Sequence, residues 1–96
     1  MDIFKRRKES EAVVARHLCA TVAAAGGEAY KWENPYRRGV QDWLCFLPEG
    51  KLLVVETKSR TGNLAHLQVW RRRLLRTLGH DVRVCHTKAE VDALGI

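Results

Sequence analysis

Little in this sequence suits cross-linking. Its cysteines number three, Cys19, Cys45 and Cys85, and none stands in a CxxC spacing. An odd, scattered set is expected to remain as reduced thiols in a cytoplasmic compartment rather than to form a disulfide framework. The four histidines, His17, His66, His80 and His86, keep no metal-ligand spacing to those cysteines, and neighbours in a strand such as Cys85 and His86 point to opposite faces, which argues against structural zinc. Long apolar runs are missing as well. Lys5-Arg6-Arg7-Lys8 carries the charge of a signal peptide's basic region, but Glu9, Glu11, Arg16 and His17 interrupt the apolar stretch that secretion needs. No segment approaches the roughly 20 apolar residues of a membrane span, so no membrane partner is expected. Repeats, low-complexity tracts and linkers are also lacking, and 96 residues are expected to form one domain over residues 1–96. Acidic residues are the minority charge: 11 Asp and Glu stand against 17 Lys and Arg, a net charge of +6 with a pI near 9.7. That balance favours a polyanionic partner such as nucleic acid.

What is present is periodicity. A helix is predicted from about Ile3 to Ala25, where Val14, Leu18, Val22 and Ala25 recur at three- and four-residue steps and Gly26-Gly27 supplies a stop. One step back along that stripe stands Glu11, a carboxylate on the face that looks inward. Ala29 to Glu33 alternates as a half-buried strand before the basic, aromatic loop Asn34-Pro35-Tyr36-Arg37-Arg38-Gly39. Trp43 to Leu47 and Leu52 to Thr57 are β-prone runs joined by Pro48-Glu49-Gly50-Lys51, the turn residues of a short hairpin. Asn63 reads as the cap of a second helix with the stripe Leu64, Leu67, Arg71, Leu74, Leu75 and Leu78, Gln68 beside it and Gly79 at its end. A strand from Asp81 to His86 follows, and Thr87-Lys88-Ala89-Glu90 has capping-box spacing for a last short helix through Leu94. The order αβββαβ(α) predicts an α/β fold with a small mixed central sheet flanked by helices.

The chemistry gathers in the hairpin. Residues two apart in a strand share a face, so Glu56 and Lys58 present a carboxylate and an ammonium together. Asp42 enters the preceding strand and falls close to opposite Glu56. Placing both on one face requires a hairpin turn of odd length, or a bulge, rather than a plain two-residue loop. Opposed carboxylates repel unless a cation joins them, and with Glu11 from the first helix three would converge on one hard ion, the Thr57 backbone carbonyl offering a further oxygen. Mg²⁺ suits such a partial shell and also binds phosphate, with Mn²⁺ as a substitute. A metal-activated water and a neutralised phosphate are what phosphodiester hydrolysis needs. Lys58 would either orient or deprotonate the water, or neutralise the developing charge.

Taken in order, Arg37-Arg38-Gly39-Val40-Gln41-Asp42, Pro48-Glu49-Gly50-Lys51, Val55-Glu56-Thr57-Lys58, Thr61-Gly62-Asn63-Leu64 and Gln68 resemble the VRR-NUC (virus-type replication-repair) branch of the PD-(D/E)XK nucleases. The resemblance spans roughly Glu11 to Thr87. It implies a restriction-endonuclease-like core in which Glu11, Asp42 and Glu56 hold the metal, Lys58 is catalytic and Gln68 has an orienting role. It also implies a phage or bacterial source, structure-selective DNA cleavage and, for small stand-alone members, a homodimer resembling Holliday-junction resolvases. Gln41 departs from the family pattern, which has Pro before the Asp; since Pro is not a ligand, this touches the strand entry rather than the chemistry.

Arg37 and Arg38 beside the site, Lys5, Arg6 and Arg7 at the start, and Arg71 and Arg72 in the second helix are the candidate phosphate contacts. Trp32 and Tyr36 could stack on an unpaired base, and Trp43 and Trp70 are assigned to the core or a dimer interface. The competing readings are a non-catalytic DNA-binding module on the same fold, a sequence-specific restriction enzyme, for which the chain has little room, and a scaffold protein.

Overall fold

The computed structural model describes residues 9–33, 41–59 and 66–96. Helix α1 spans Glu11–Ala24. The Ser10 hydroxyl accepts a hydrogen bond from the Val13 N–H at 3.1 Å, and this cap, satisfying a free donor of the first turn, fixes the helix entry. The helix expected from about Ile3 is not continuous through Glu9 and Ser10, because Ser10 is extended and caps the helix; the positions before Glu9 lie outside the described residues. At the other end the Gly26 N–H donates to the Ala23 carbonyl and the Gly27 N–H to the Val22 carbonyl, at 3.0 and 2.9 Å. Gly26 has the left-handed φ of 88° that this closure uses. Gly27 is needed for another reason: a Cβ there would lie 2.3 Å from the Phe46 carbonyl oxygen.

Strands β1 (Glu28–Glu33), β2 (Gln41–Leu47), β3 (Lys51–Thr57) and β4 (Asp81–Cys85) form a four-stranded sheet in the order β1-β2-β3-β4. The first three strands are antiparallel and β4 runs parallel to β3. A parallel neighbour requires a crossover, which helix α2 (His66–Thr77) provides, and helix α3 (Lys88–Asp92) follows β4. Thr87 caps α3 by accepting from the Glu90 N–H at 3.1 Å, while Glu90 accepts from the His86 N–H at 2.6 Å. The mixed α/β architecture and its element order agree with the sequence reading. Asn63, the expected cap of α2, lies outside the described residues.

The β2–β3 connection is the odd-length turn the sequence demands. Pro48, Glu49 and Gly50 form a three-residue 3₁₀ turn with Glu49 at φ 67° and Gly50 at φ 73°. Leu47 therefore pairs with Lys51, and the register continues to Trp43 opposite Val55.

Strand alternation then sorts the residues onto two faces. On one, α1 and α3 bring Val14, Leu18, Val22 and Val91 onto Cys45, Leu53, Val55 and Cys85, the buried core; each large apolar side chain so buried contributes about 1.5–3 kcal/mol. The opposite face carries Asp42, Val54, Glu56 and Val82, and α2 lies over it. Here the stripe predicted for α2 packs only in part. Arg71 and Leu75 of it are half-buried, with Gln68 and Arg72 beside them, whereas Leu67, Leu74 and Leu78 are 40, 41 and 64 % exposed, as is Trp70 at 55 %. The cause is the roll of the helix, which Arg76 holds by donating from Nε and Nη2 to the Val82 carbonyl at 3.1 and 2.6 Å. The Lys58 N–H donates to the Cys85 carbonyl, so by strand alternation the Val82 carbonyl points away from β3, off the free edge of the sheet. Arg76 thus reaches over that edge, and the exposed apolar stripe, on the opposite side of the helix, looks back across the sheet toward β1.

Candidate active site

One step beyond the Trp43–Val55 pair, the register sets Asp42 across from Glu56. Both are buried, at 7 and 4 % exposure, at the end of the sheet where β2 begins and β3 finishes. The Glu56 Oε1 accepts a hydrogen bond from Gln68 Nε2 at 2.9 Å and lies 3.4 Å from Lys58 Nζ. Burial, then the hydrogen bond and the charge of Asp42, push the Glu56 carboxyl up to about 9, with Lys58 pulling in the opposite direction. Glu56 therefore keeps its proton at neutral pH when no cation joins the pair.

Glu56 Oε2 is buried and has no hydrogen-bond partner. An orphaned carboxylate oxygen beside a second carboxylate is a hard-oxygen donor set, and it fits a hard divalent cation. The cavity at the pair, about 10 Å³, is closed by Gln68, Arg71, Arg72, Val82 and Val84, at the lower limit of what holds a single water. Arg71 and Arg72 therefore lean inward toward the carboxylates, each with its Nε buried. Gln68, Arg71, Arg72 and Leu75 are themselves spaced as one helical face. Their polarity hides that face from any search for apolar periodicity.

Glu11 is placed differently from the expected convergence of three carboxylates. It is half-buried at the first turn of α1 and lines a groove with Lys31, Trp43 and Thr57 on the other side of the sheet. Among the described residues, no group of three or more His, Cys, Asp or Glu is arranged to hold a metal ion. The reason is strand alternation: Thr57 turns its side chain toward α1, and Glu56 turns toward α2. Thr57, at the very end of β3, joins the two sides. Trp32 pairs with Asp42 across the strands, Trp43 lines the α1 groove, and His66 and Trp70 are exposed on α2. Lys5, Arg6, Arg7, Tyr36, Arg37 and Arg38 lie outside the described residues.

No family model matches the chain. It is, however, 41 % identical over 71 residues to "Putative nuclease p44" of Acyrthosiphon pisum secondary endosymbiont phage 1, an alignment covering 74 % of this chain and 76 % of that protein. Its fold superposes on a solved VRR-NUC domain with a TM-score of 0.82 at 26 % identity, over 90 % of this chain and 95 % of the other. The chain belongs to the VRR-NUC family of PD-(D/E)XK nucleases. In this VRR-NUC nuclease, the buried carboxylate pair with its adjacent lysine stands at two paired strand ends, where oxygen donors and an ammonium lie side by side.

Proposed function

We propose that this VRR-NUC protein is a Mg²⁺-dependent endonuclease that hydrolyses DNA phosphodiester bonds, with Mn²⁺ as a working substitute. The carrying observation is the buried Asp42–Glu56 pair with one Glu56 oxygen lacking any donor, held beside the Lys58 ammonium. Asp42 and Glu56 are the principal ligands in this reading, with Glu11 and the Thr57 carbonyl as further oxygens from the other side of the strand end. Such an ion, when bound, supplies a water of lowered pKa and neutralises the scissile phosphate. Lys58 orients that water or balances the charge that builds on the phosphate. Gln68 holds Glu56 Oε1 in place and so keeps its second oxygen directed to the ion. Arg71 and Arg72, with Arg37, Arg38, Lys5, Arg6 and Arg7, are the proposed phosphate contacts, in keeping with the net charge of +6.

The preferred substrate in this reading is branched or otherwise structured DNA, cut in the manner of a Holliday-junction resolvase by a homodimer in the cytoplasm of a bacterial or phage-infected cell. Support for the dimer comes from the sheet face that α2 only partly covers. Tyr30, Phe46 and Leu52 are 54, 48 and 40 % exposed on it, and the stripe Leu67, Trp70, Leu74 and Leu78 walls its other side. Together these side chains expose an area on the order of 700 Å², near the roughly 800 Å² per partner of a stable interface. A two-fold partner presenting the same stripe would fill it.

The test is cleavage of labelled linear, flap and four-way DNA in Mg²⁺ or Mn²⁺, beside EDTA controls and Lys58→Ala. Metal-dependent cutting of branched DNA, lost in the variant, is expected. A folded protein that binds DNA in every metal and never cuts would instead establish the second reading, a non-catalytic DNA-binding module. The separation of Glu11 from the carboxylate pair is the observation in its favour.

A further inference from the structure

The groove on the α1 side is a built cavity of which the cleavage chemistry uses only the end at Glu11 and Thr57. It measures about 590 Å³ and is lined by Ala12, Ala15, Arg16 and Cys19 of α1, by Lys31 and Trp43 of β1 and β2, and by Glu11 and Thr57 at one end. That volume lies within the range of small-ligand sites. Its α1 wall is made of the small side chains Ala12, Ala15 and Cys19, which stand beside the half-buried Trp43. Two buried polar atoms among the lining residues have no hydrogen-bond partner, the Trp43 indole Nε1 and the Thr57 hydroxyl, and Thr57 is only 1 % exposed. Buried donors without acceptors are uncommon, and they call for a group that supplies one. The cations sit at the rim: exposed Arg16, and Lys31, whose Nζ lies 5.5 Å from the centroid of the Trp43 ring.

These features define the ligand's chemistry. A flat ring is needed to cover the face of Trp43, an acceptor at that ring's edge to meet the Thr57 hydroxyl at the end of the groove, and an anion to meet Lys31 and Arg16. A nucleotide meets all of these. We propose that the groove between α1 and the β1–β2 pair receives one unpaired nucleobase of the DNA substrate, stacked on Trp43, with its phosphate held by Lys31 and Arg16. The inference rests on the DNA-cleaving reading above and adds a means of selection to it. Glu11 and Thr57 bring the groove to the strand end that carries Glu56, so a base can enter it only when DNA beside the cleaved bond is unpaired. The exposed contact of Lys31 with Trp43 is weaker than base stacking, so the base displaces the ammonium toward the phosphate.

The test uses a duplex with a single bulged 2-aminopurine and the same duplex with that base paired, bound in Mg²⁺ by Lys58→Ala protein so that the DNA stays intact. Binding is followed by anisotropy and stacking by 2-aminopurine fluorescence. The bulged probe is expected to be quenched on binding and the paired probe to be unchanged. Ala15→Leu and Cys19→Leu, each filling the groove from a different turn of α1, should abolish the quench and reduce the preference for the bulged duplex roughly tenfold. Circular dichroism checks that both variants fold. A bulged probe that is bound yet keeps its fluorescence, or a quench that survives both filled grooves, overturns the inference while leaving the nuclease reading intact. Failure to bind either duplex removes the DNA-cleaving reading and this inference with it.

Discussion

Asp42 and Glu56 face each other across β2 and β3 because the turn between those strands has three residues rather than two. The pair is buried, with the Lys58 ammonium 3.4 Å from Glu56 Oε1 and Arg71 and Arg72 lining the same small cavity. Both the chemistry and the pH behaviour of the protein follow from that juxtaposition.

The folded protein holds a proton on Glu56 more tightly than the unfolded chain does, since burial and Asp42 push this carboxyl up to about 9. A group raised on folding contributes stability in full below its unfolded value, and that contribution is lost as pH rises through the folded value. In EDTA, the thermal midpoint is therefore expected to fall between about pH 5 and pH 9, with Glu56→Gln flattening the slope. A divalent ion competes with the same proton, so Mg²⁺ should raise the midpoint more at pH 8.5 than at pH 6. A midpoint that climbs with pH in EDTA, or a slope unchanged in Glu56→Gln, would contradict a buried Glu56 whose proton is held by burial and by Asp42.

Gln68 donates to Glu56 across 2.9 Å from the half of α2 that faces the sheet. A hydrogen bond to a charged group is worth about 1.5–3 kcal/mol, so Gln68→Leu is expected to lower kcat at least tenfold. Because the bond fixes a ligand rather than the substrate, KM for DNA should move little and the concentration of Mg²⁺ for half-maximal rate should rise. An unchanged metal dependence would assign Gln68 to packing alone.

The carboxylates, the lysine and the odd turn were legible in the sequence because strand alternation is strict: fixing Asp42 and Glu56 on one face forces the parity of the loop. The α1 core stripe of Val14, Leu18 and Val22 was legible for the same kind of reason, a helical period in apolar residues. The roll of α2 was not. Most of its apolar side chains turn away from the sheet while polar ones face it, and what accompanies this roll is the bond from Arg76 to the Val82 carbonyl, which apolar periodicity does not encode. The position of Glu11 was missed likewise, because helical phase shows that a residue faces the sheet but not which side of a strand end it meets.

Turn length offers a sharp test of the site's construction. Deleting Gly50 shortens the loop to two residues and shifts β3 by one position against β2, which would carry Glu56 to the α1 face or strip the core of Leu53 and Val55. Loss of all cleavage, with strong destabilisation in urea, is expected. By contrast, Glu49→Gly relieves a left-handed residue at φ 67° and should be neutral or stabilising by up to about 1 kcal/mol with full activity. Equal damage from both changes would mean that loop identity, not register, matters.

The exposed stripe of α2 bears on the proposed assembly. Leu74 is 41 % exposed and Trp70 55 % exposed, so replacing either with a charged residue removes no core contact and should leave the monomer folded, within about 0.5 kcal/mol. If a second copy covers this stripe, Leu74→Glu opposes its own image across the two-fold axis and buries an unpaired charge at each site. Sedimentation equilibrium is then expected to show a dimer for the unaltered protein and a monomer for Leu74→Glu at micromolar concentration. Paired incision of four-way DNA should fall to single nicks while the rate of each nick is retained, because the carboxylate pair lies within one chain. A monomeric mass for the unaltered protein, or a dimer that survives both Leu74→Glu and Trp70→Glu, would place the interface elsewhere or remove it.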